Sequence, residues 1–416
     1  MSPAQQASLP APPFARAAAS FRDLKLSGRT DFWRLWLVGL IVFSVRWLET
    51  VAVAVVVYQR TASPFLVAAI TMLRMLPMGV FGAFIGAFAE RIERRSALIG
   101  VVLMMASSSL TLAVLAYGGQ LQIWHLAVAS FVNGIAWATD NPVRRVMIGE
   151  VVGTDQMSTA MSLDVGANNA SRMLGPTVGG LMLATVGIAG AFTLSVLLYA
   201  IALAAALRVR YRNSAMPADA GAVLARIAEG FALVRGNPRL VGVLTVTVIY
   251  NLFGWPCTSM VPVIGHDQLG LGPEGVGILA SMDGVGAFCG AILAAVYLRP
   301  AWYARVFLGG SAIYMVMLIV FALTPWPLVA GCVLLFTGLG GAGFSIMQAT
   351  LVYLAAPPDM RSRLLGVLSV CIGVGPIGFV LLGLEADWVG APAATVGTGV
   401  VGLVMLAATR RWWRGM

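Results

Sequence analysis

Stretches of about 20 mainly apolar residues recur along this 416-residue chain from residue 35 to its C-terminal end, separated by short polar gaps. A helix of that length crosses the roughly 30 Å hydrocarbon layer of a bilayer, where backbone without internal hydrogen bonds is excluded. Twelve spans are predicted, with cores near 36–58, 64–89, 97–117, 123–142, 162–184, 190–208, 240–262, 274–297, 305–323, 327–350, 364–384 and 390–408. Soluble chains are roughly half apolar and a quarter charged. This one is 59% hydrophobic and 11% charged, with a mean hydropathy of +0.88. An all-α polytopic membrane protein is therefore expected, with an even span count that puts both termini on one side.

The net charge of +10 would suggest nucleic acid in a soluble chain. Here its placement decides its meaning. Of 27 basic residues, 23 fall on the side of the termini, Arg60 alone falls on the other side, and Arg46, Arg74 and Arg172 lie inside spans. By the positive-inside rule both termini are cytoplasmic. Residues 1–30 are rich in Ala and Pro without a compact apolar core and cleavage site, and read as a cytoplasmic tail rather than a secretory signal. Residues 410–416 form a short basic tail. The four cysteines each lie in a different span and read as buried apolar side chains, neither disulfides nor metal ligands.

The longest polar stretch, 209–239, contains AVLARIAEGFALVRGNPRL and predicts an amphipathic helix at the cytoplasmic surface. It separates two six-span halves, 31–208 and 240–409. Gly82, Gly86 and Gly134 fall on Gly286, Gly290 and Gly338 at an offset of 204, and Gly175-Pro176 falls on Gly375-Pro376 at an offset of 200. Equal span counts and these echoes argue for duplication. Two pseudo-symmetric six-helix bundles facing each other across a cavity suit alternating access.

The strongest local motif is GAFAERIERR, Gly86 to Arg95, between spans 2 and 3. It resembles the signature loop of the major facilitator superfamily, with Glu90 in place of the usual Asp and Glu93 in place of the second glycine. LRMLP at 73–77, NPVRR after span 4, MLGPTVGG in span 5, the segment before span 7 and PPDMRSRLLG before span 11 resemble the branch of bacterial siderophore and drug exporters. The resemblance implies the major facilitator fold. It also implies a cytoplasmic gate latched by Gly82, Gly86, Glu90, Arg91, Arg94 and Arg95, the last three pairing with Asp155 or Glu150. The simpler reading of those arginines is a topology signal. Gly175, Pro176, Gly179 and Gly180 resemble the family's span 5 antiporter motif, associated with export, or are a packing kink without directional meaning. The family further implies that spans 1, 4, 7 and 10 line the cavity, offering Asn133, Trp137, Asp140, Tyr250, Asn251, Trp255 and Gln348, each also explicable as packing.

Intramembrane charges are costly and face a cavity or a partner. Glu49, Arg46, Arg74, Arg172 and Asp283 are the proton-coupling or substrate candidates. Glu49 is the leading protonation site, with Arg74 and Arg172 as its electrostatic partners; alternatively it forms a permanent ion pair with Arg46 or Arg74. Asp283 has no evident local partner. The chain carries no P-loop, HExxH, GxSxG or paired CxxC. No enzyme activity, catalytic residue, metal or cofactor is expected, and the proton gradient would supply the energy. The expectation is proton-coupled efflux of an amphipathic small molecule, by a monomer in a bacterial cytoplasmic (inner) membrane, with the bilayer and the substrate as partners and no nucleic acid. The alternatives are an importer or uniporter of an anionic small molecule, and a non-transporting receptor or assembly partner.

Overall fold

The computed structural model describes residues 29–90, 93–153, 156–211, 229, 231, 233–234, 236–357 and 360–413, with the side chains of 80–90, 158 and 361–362 excepted. The N-terminal tail, most of the 209–239 linker with its expected helix, Arg91, Asp155 and the surroundings of Gly82, Gly86 and Glu90 lie outside the described residues. The described residues form helices throughout, and nine of these are long and apolar enough to cross a membrane. One of the nine belongs to the continuous helix Met157–Leu207, which is two rods in succession. Gly187 there has φ 69°, a left-handed backbone that glycine adopts without a Cβ clash, so spans 5 and 6 fold back at that residue. Helices Pro64–Glu90 and Ile123–Val152 supply spans 2 and 4, the latter made less apolar by Asn133, Asp140 and Arg144.

Two spans are discontinuous. Span 7 begins as an α-helix at Pro238–Ile249, loosens into a π turn at Tyr250–Gly254, tightens into a 3₁₀ stretch at Trp255–Met260 and resumes as Val261–Asp267. Pro256 and Pro262 each remove an N–H from the ladder, which accounts for the break. Within the 3₁₀ stretch hydroxyls add bonds to the backbone: Thr258 Oγ1 donates to Trp255 O at 2.8 Å and Ser259 Oγ to Pro256 O at 2.7 Å. Span 11 is similarly divided into Arg361–Ile372 and Gly375–Val389.

Packing follows the glycines. Without a hydrophobic difference between lipid and side chain, helices associate in a bilayer where small residues let backbones approach. Gly134 of span 4 sits against the Arg74 carbonyl and Pro77 of span 2, and its echo Gly338 of span 10 sits against the Asp283 carbonyl of span 8. Gly179 meets the Leu48 carbonyl of span 1. Spans 8 and 9 (Pro273–Tyr297 and Tyr303–Leu323) both pack along span 10 (Pro327–Ala355), and span 12 (Ala391–Ala408) packs on span 9. The two halves meet along span 5 against span 8 and span 2 against span 11. Cys257 and Cys371 are buried as expected, whereas Cys289 and Cys332 are exposed on the outside of the bundle, because their helices turn those faces outward.

The glycine contacts give a direct test. Gly179→Leu should lower the thermal unfolding midpoint in detergent, with an overpacking cost of about 1–3 kcal/mol. Gly100→Ala, whose added Cβ meets nothing within 4 Å, should leave the midpoint unchanged or raised.

Candidate functional site

Glu49 of span 1 is 2% exposed and sits inside the N-terminal bundle. Ser109 of span 3 donates to its Oε1 at 2.7 Å, Asn133 Nδ2 of span 4 approaches Oε2 at 3.4 Å, and Arg74 Nη2 of span 2 lies 3.5 Å from Oε2. Arg74 is itself held by the Arg46 carbonyl at 2.9 Å and by Thr50 Oγ1. The ion pair open between Arg46 and Arg74 is thus made by Arg74. Arg46 instead places its guanidinium 3.6 Å from the Trp137 ring centroid and has no carboxylate partner among the described residues. Cation–π contact offsets part of the desolvation of an arginine but does not neutralise it. A space of about 10 Å³, near the size that holds a single water, separates Arg46, Arg74, Asn133, Trp137 and Tyr199.

Arg172 of span 5 and Asp283 of span 8 form an ion pair that joins the two halves. This corrects two expectations. Asp283 has a partner, and Arg172 serves that acid rather than Glu49. The two lie 111 residues apart, so spacing along one helix could not reveal the contact. The backbone around the pair is drawn close: Gly284 lies under the Arg172 carbonyl, Gly180 and Gly277 face each other, and Ser281 Oγ accepts from Thr177 N at 3.0 Å. The Gly-Pro-x-x-Gly-Gly motif of span 5 therefore has two jobs. Gly175 and Gly179 seat span 5 on Trp47 and Leu48 of span 1, while Gly180 seats it on span 8.

A cavity of about 90 Å³ between the halves has Trp47, Thr71, Arg172, Thr258, Asp283 and Thr337 on its wall. None of the seven residues expected from spans 4, 7 and 10 borders it. Tyr250 stacks on Phe344 at 3.6 Å inside the C-terminal bundle, Asn251 donates to Thr247 O at 2.9 Å, and Gln348 donates to Thr247 Oγ1 at 3.1 Å. Trp255 packs edge-on to Phe379. Asn133 serves Glu49, Trp137 serves Arg46, and Asp140 is engaged by Arg144. The break in span 7 is the physical reason on that helix: an ideal helical period does not carry through a π turn and a 3₁₀ stretch, which turn Thr258 and Ser259 to the cavity instead.

A further charge network lies toward the arginine-rich end of the N-terminal bundle. Arg144 is 0% exposed, donates to Asp140 at 3.2 Å and pairs with Asp164, while Arg145 reaches Asp164 Oδ2 at 3.0 Å. Arg144, counted among the loop arginines, is thus an interior residue, seated against Gly39 and 4.9 Å from the Phe43 ring centroid. A glycine one helix away was the signal that could have found it. At the same end Arg94 pairs with Glu150, as the gate reading allows, and Arg95 donates to Leu207 O at 2.7 Å and Val209 O at 2.8 Å. At the opposite face Tyr58 donates to Asp267, and Asp387 accepts from Phe65 N at 2.9 Å and Ser63 Oγ at 3.1 Å. These bonds join span 1 to span 7 and the 1–2 turn to span 11, so contacts between the halves run from mid-membrane to that face.

Two helical bundles that meet along spans 2, 5, 8 and 11 around a cavity define a transporter of the major facilitator type. Over residues 26–412 the chain matches the family described as transmembrane secretion effector, and it belongs to that family. A solved bacterial homolog of the human lysosomal transporter Spinster, inward-facing and unoccupied, superposes with a TM-score of 0.69 at 15% identity, covering 93% of this chain and 98% of that one. The nucleoside transporter NupG superposes with a TM-score of 0.70 at 13% identity, covering 92% and 99%. By sequence the chain is 22% identical over 371 residues to macrolide efflux protein A of Streptococcus pyogenes, 87% of this chain and 91% of that protein. It is 26% identical over 378 residues to the multidrug efflux pump Tap of Mycolicibacterium fortuitum, 85% and 86% of the two chains. The protein is a multi-span membrane transporter and not an enzyme.

The interior network predicts a stability effect. Arg144→Leu strands Asp140 and leaves Asp164 with Arg145 alone, and should destabilise the N-terminal bundle by about 3–5 kcal/mol, read as a fall in the unfolding midpoint. Adding Asp140→Asn and Asp164→Asn to that variant should recover most of the loss.

Proposed function

We propose that this protein exports an amphipathic small molecule across a bacterial cytoplasmic membrane by proton antiport, with both termini in the cytoplasm. The observation that carries the reading is the Arg172–Asp283 pair, which holds the two halves together at the wall of the cavity between them. Rocking residues 31–208 against 240–409 to expose the cavity on the other side requires that pair to part. The basic side chains gathered at one end support the orientation, and the efflux relatives support the direction. An apolar and hydroxyl-bearing wall with one tryptophan supports an amphipathic ligand.

Coupling is assigned to Glu49. Arg46 lies within electrostatic reach of both Arg74 and Arg172, and the three arginines with Glu49 and Asp283 leave one net positive charge. A proton on Glu49 raises that to two and frees Arg74 from its counter-ion. The added repulsion acts on Arg172 and so on its grip on Asp283, which links proton uptake to the contact between halves. A second reading, uptake of an anionic molecule without proton movement, is favoured by Arg46, whose charge has no carboxylate to meet it among the described residues.

Inverted vesicles with an imposed pH gradient separate the two. Proton-driven accumulation of a fluorescent amphipath is expected for the wild type and should be abolished in Glu49→Gln with expression intact; full coupling in that variant would remove Glu49 from the mechanism. For the joint between halves, Arg172→Asp and Asp283→Arg should each lose transport at least tenfold, whereas the exchanged double variant should regain part of it.

A further inference from the structure

The C-terminal bundle carries a second hollow that the transport reading does not use. Spans 8 and 9 each lie along span 10 and make little contact with each other, so a groove opens between them on the outside of the bundle. Its volume is about 450 Å³. The floor is close-packed backbone, since Gly310 of span 9 and Gly340 of span 10 face each other's carbonyls and leave no side chain to fill the space above. Leu293 and Ile313 line it and stay exposed on the lipid side. The end nearest the arginine-rich face is different in character. Tyr297 and Trp302 stand exposed at its rim, Arg305 is its one charged lining residue, and Arg299 is exposed in the short connection beside them. Neither arginine has an acidic partner among the described residues.

From these features we propose that the groove is a binding site for an anionic phospholipid. Its apolar length takes an acyl chain out of the bulk bilayer, Tyr297 and Trp302 mark the headgroup level, and Arg305 with Arg299 holds the phosphate. The charge is what selects the occupant. A zwitterionic lipid would satisfy the apolar groove but leave both guanidinium groups with a partner whose own ammonium opposes them. The site is lateral to the cavity between the halves and does not depend on the direction or energy source of transport.

The test uses the full-length protein in detergent, mixed with equal amounts of phosphatidylglycerol and phosphatidylcholine and analysed by native mass spectrometry. The wild type should retain phosphatidylglycerol in preference. Arg299→Ala combined with Arg305→Ala should reduce its retention by about fivefold per arginine removed and erase the preference. Gly309→Leu should displace both lipids by filling the groove, since Gly309 lines it and an added Cβ there meets nothing within 4 Å; an unfolding midpoint equal to the wild type's checks that the fold is kept. Equal retention of the two lipids by the wild type, or unchanged phosphatidylglycerol retention in either variant, would overturn the site.

Discussion

An ionised side chain in the hydrocarbon layer is costly unless a counter-ion or a polarisable face comes with it, and the structure is arranged around that constraint. Three sets of charges satisfy it. Glu49 with Arg74 and Asp140, Asp164, Arg144 and Arg145 each belong to the N-terminal half and travel with it. Arg172 with Asp283 alone spans both halves among these. Any relative movement therefore spares the first two sets and falls on the third. Removing the partner of a buried ion costs about 3–5 kcal/mol, comparable to the few kcal/mol that separate conformations of a two-state protein. The position of this pair beside a cavity is consistent with that role, because a parted Arg172 and Asp283 would meet the cavity and not lipid.

The surroundings of the pair keep that movement inexpensive. Gly180 against Gly277 and Gly79 against Gly373 bring backbone to backbone with no interlocking side chains to unpack. Helices in such contact can slide or tilt with little loss of dispersion energy compared with a knobs-into-holes seam. The discontinuities in spans 7 and 11 meet where Gly375 lies against Trp255 and give those helices a place to bend. Arg46 adds a standing positive charge beside this joint. It is held by an aromatic face rather than an acid, so its field is not cancelled locally.

The helical spans were legible because hydropathy acts over 20 residues at a time and needs no knowledge of neighbours. The candidate charges were legible for a related reason, since any ionisable residue inside such a span stands out. What could not be read was partnership. Glu49 and Arg74 lie on adjacent helices, and the pair was one of two open choices; Asp283 waited on a residue in the other half. Arg144 was assigned to a loop because it follows the apolar core of span 4, yet that helix runs on to Val152 and carries Arg144 into the interior. On span 7 the family geometry offers Tyr250, Asn251 and Trp255 as cavity wall, and it fails there because that span loses its α-helical register. Thr258, Ser259 and Thr337 carried no sequence signal that marks them apart from other hydroxyl residues in membrane helices.

The central claim is that the Arg172–Asp283 pair holds the face opposite the termini closed. Spin labels at Trp124 and Trp388, both exposed on that face and one in each half, report its width by pulsed electron spin resonance once the native cysteines are replaced. Removing both charges together, as Arg172→Leu with Asp283→Leu, leaves no stranded ion. The account predicts a new population at longer distance in that variant compared with the protein retaining the pair. A distance distribution unchanged between the two would contradict it.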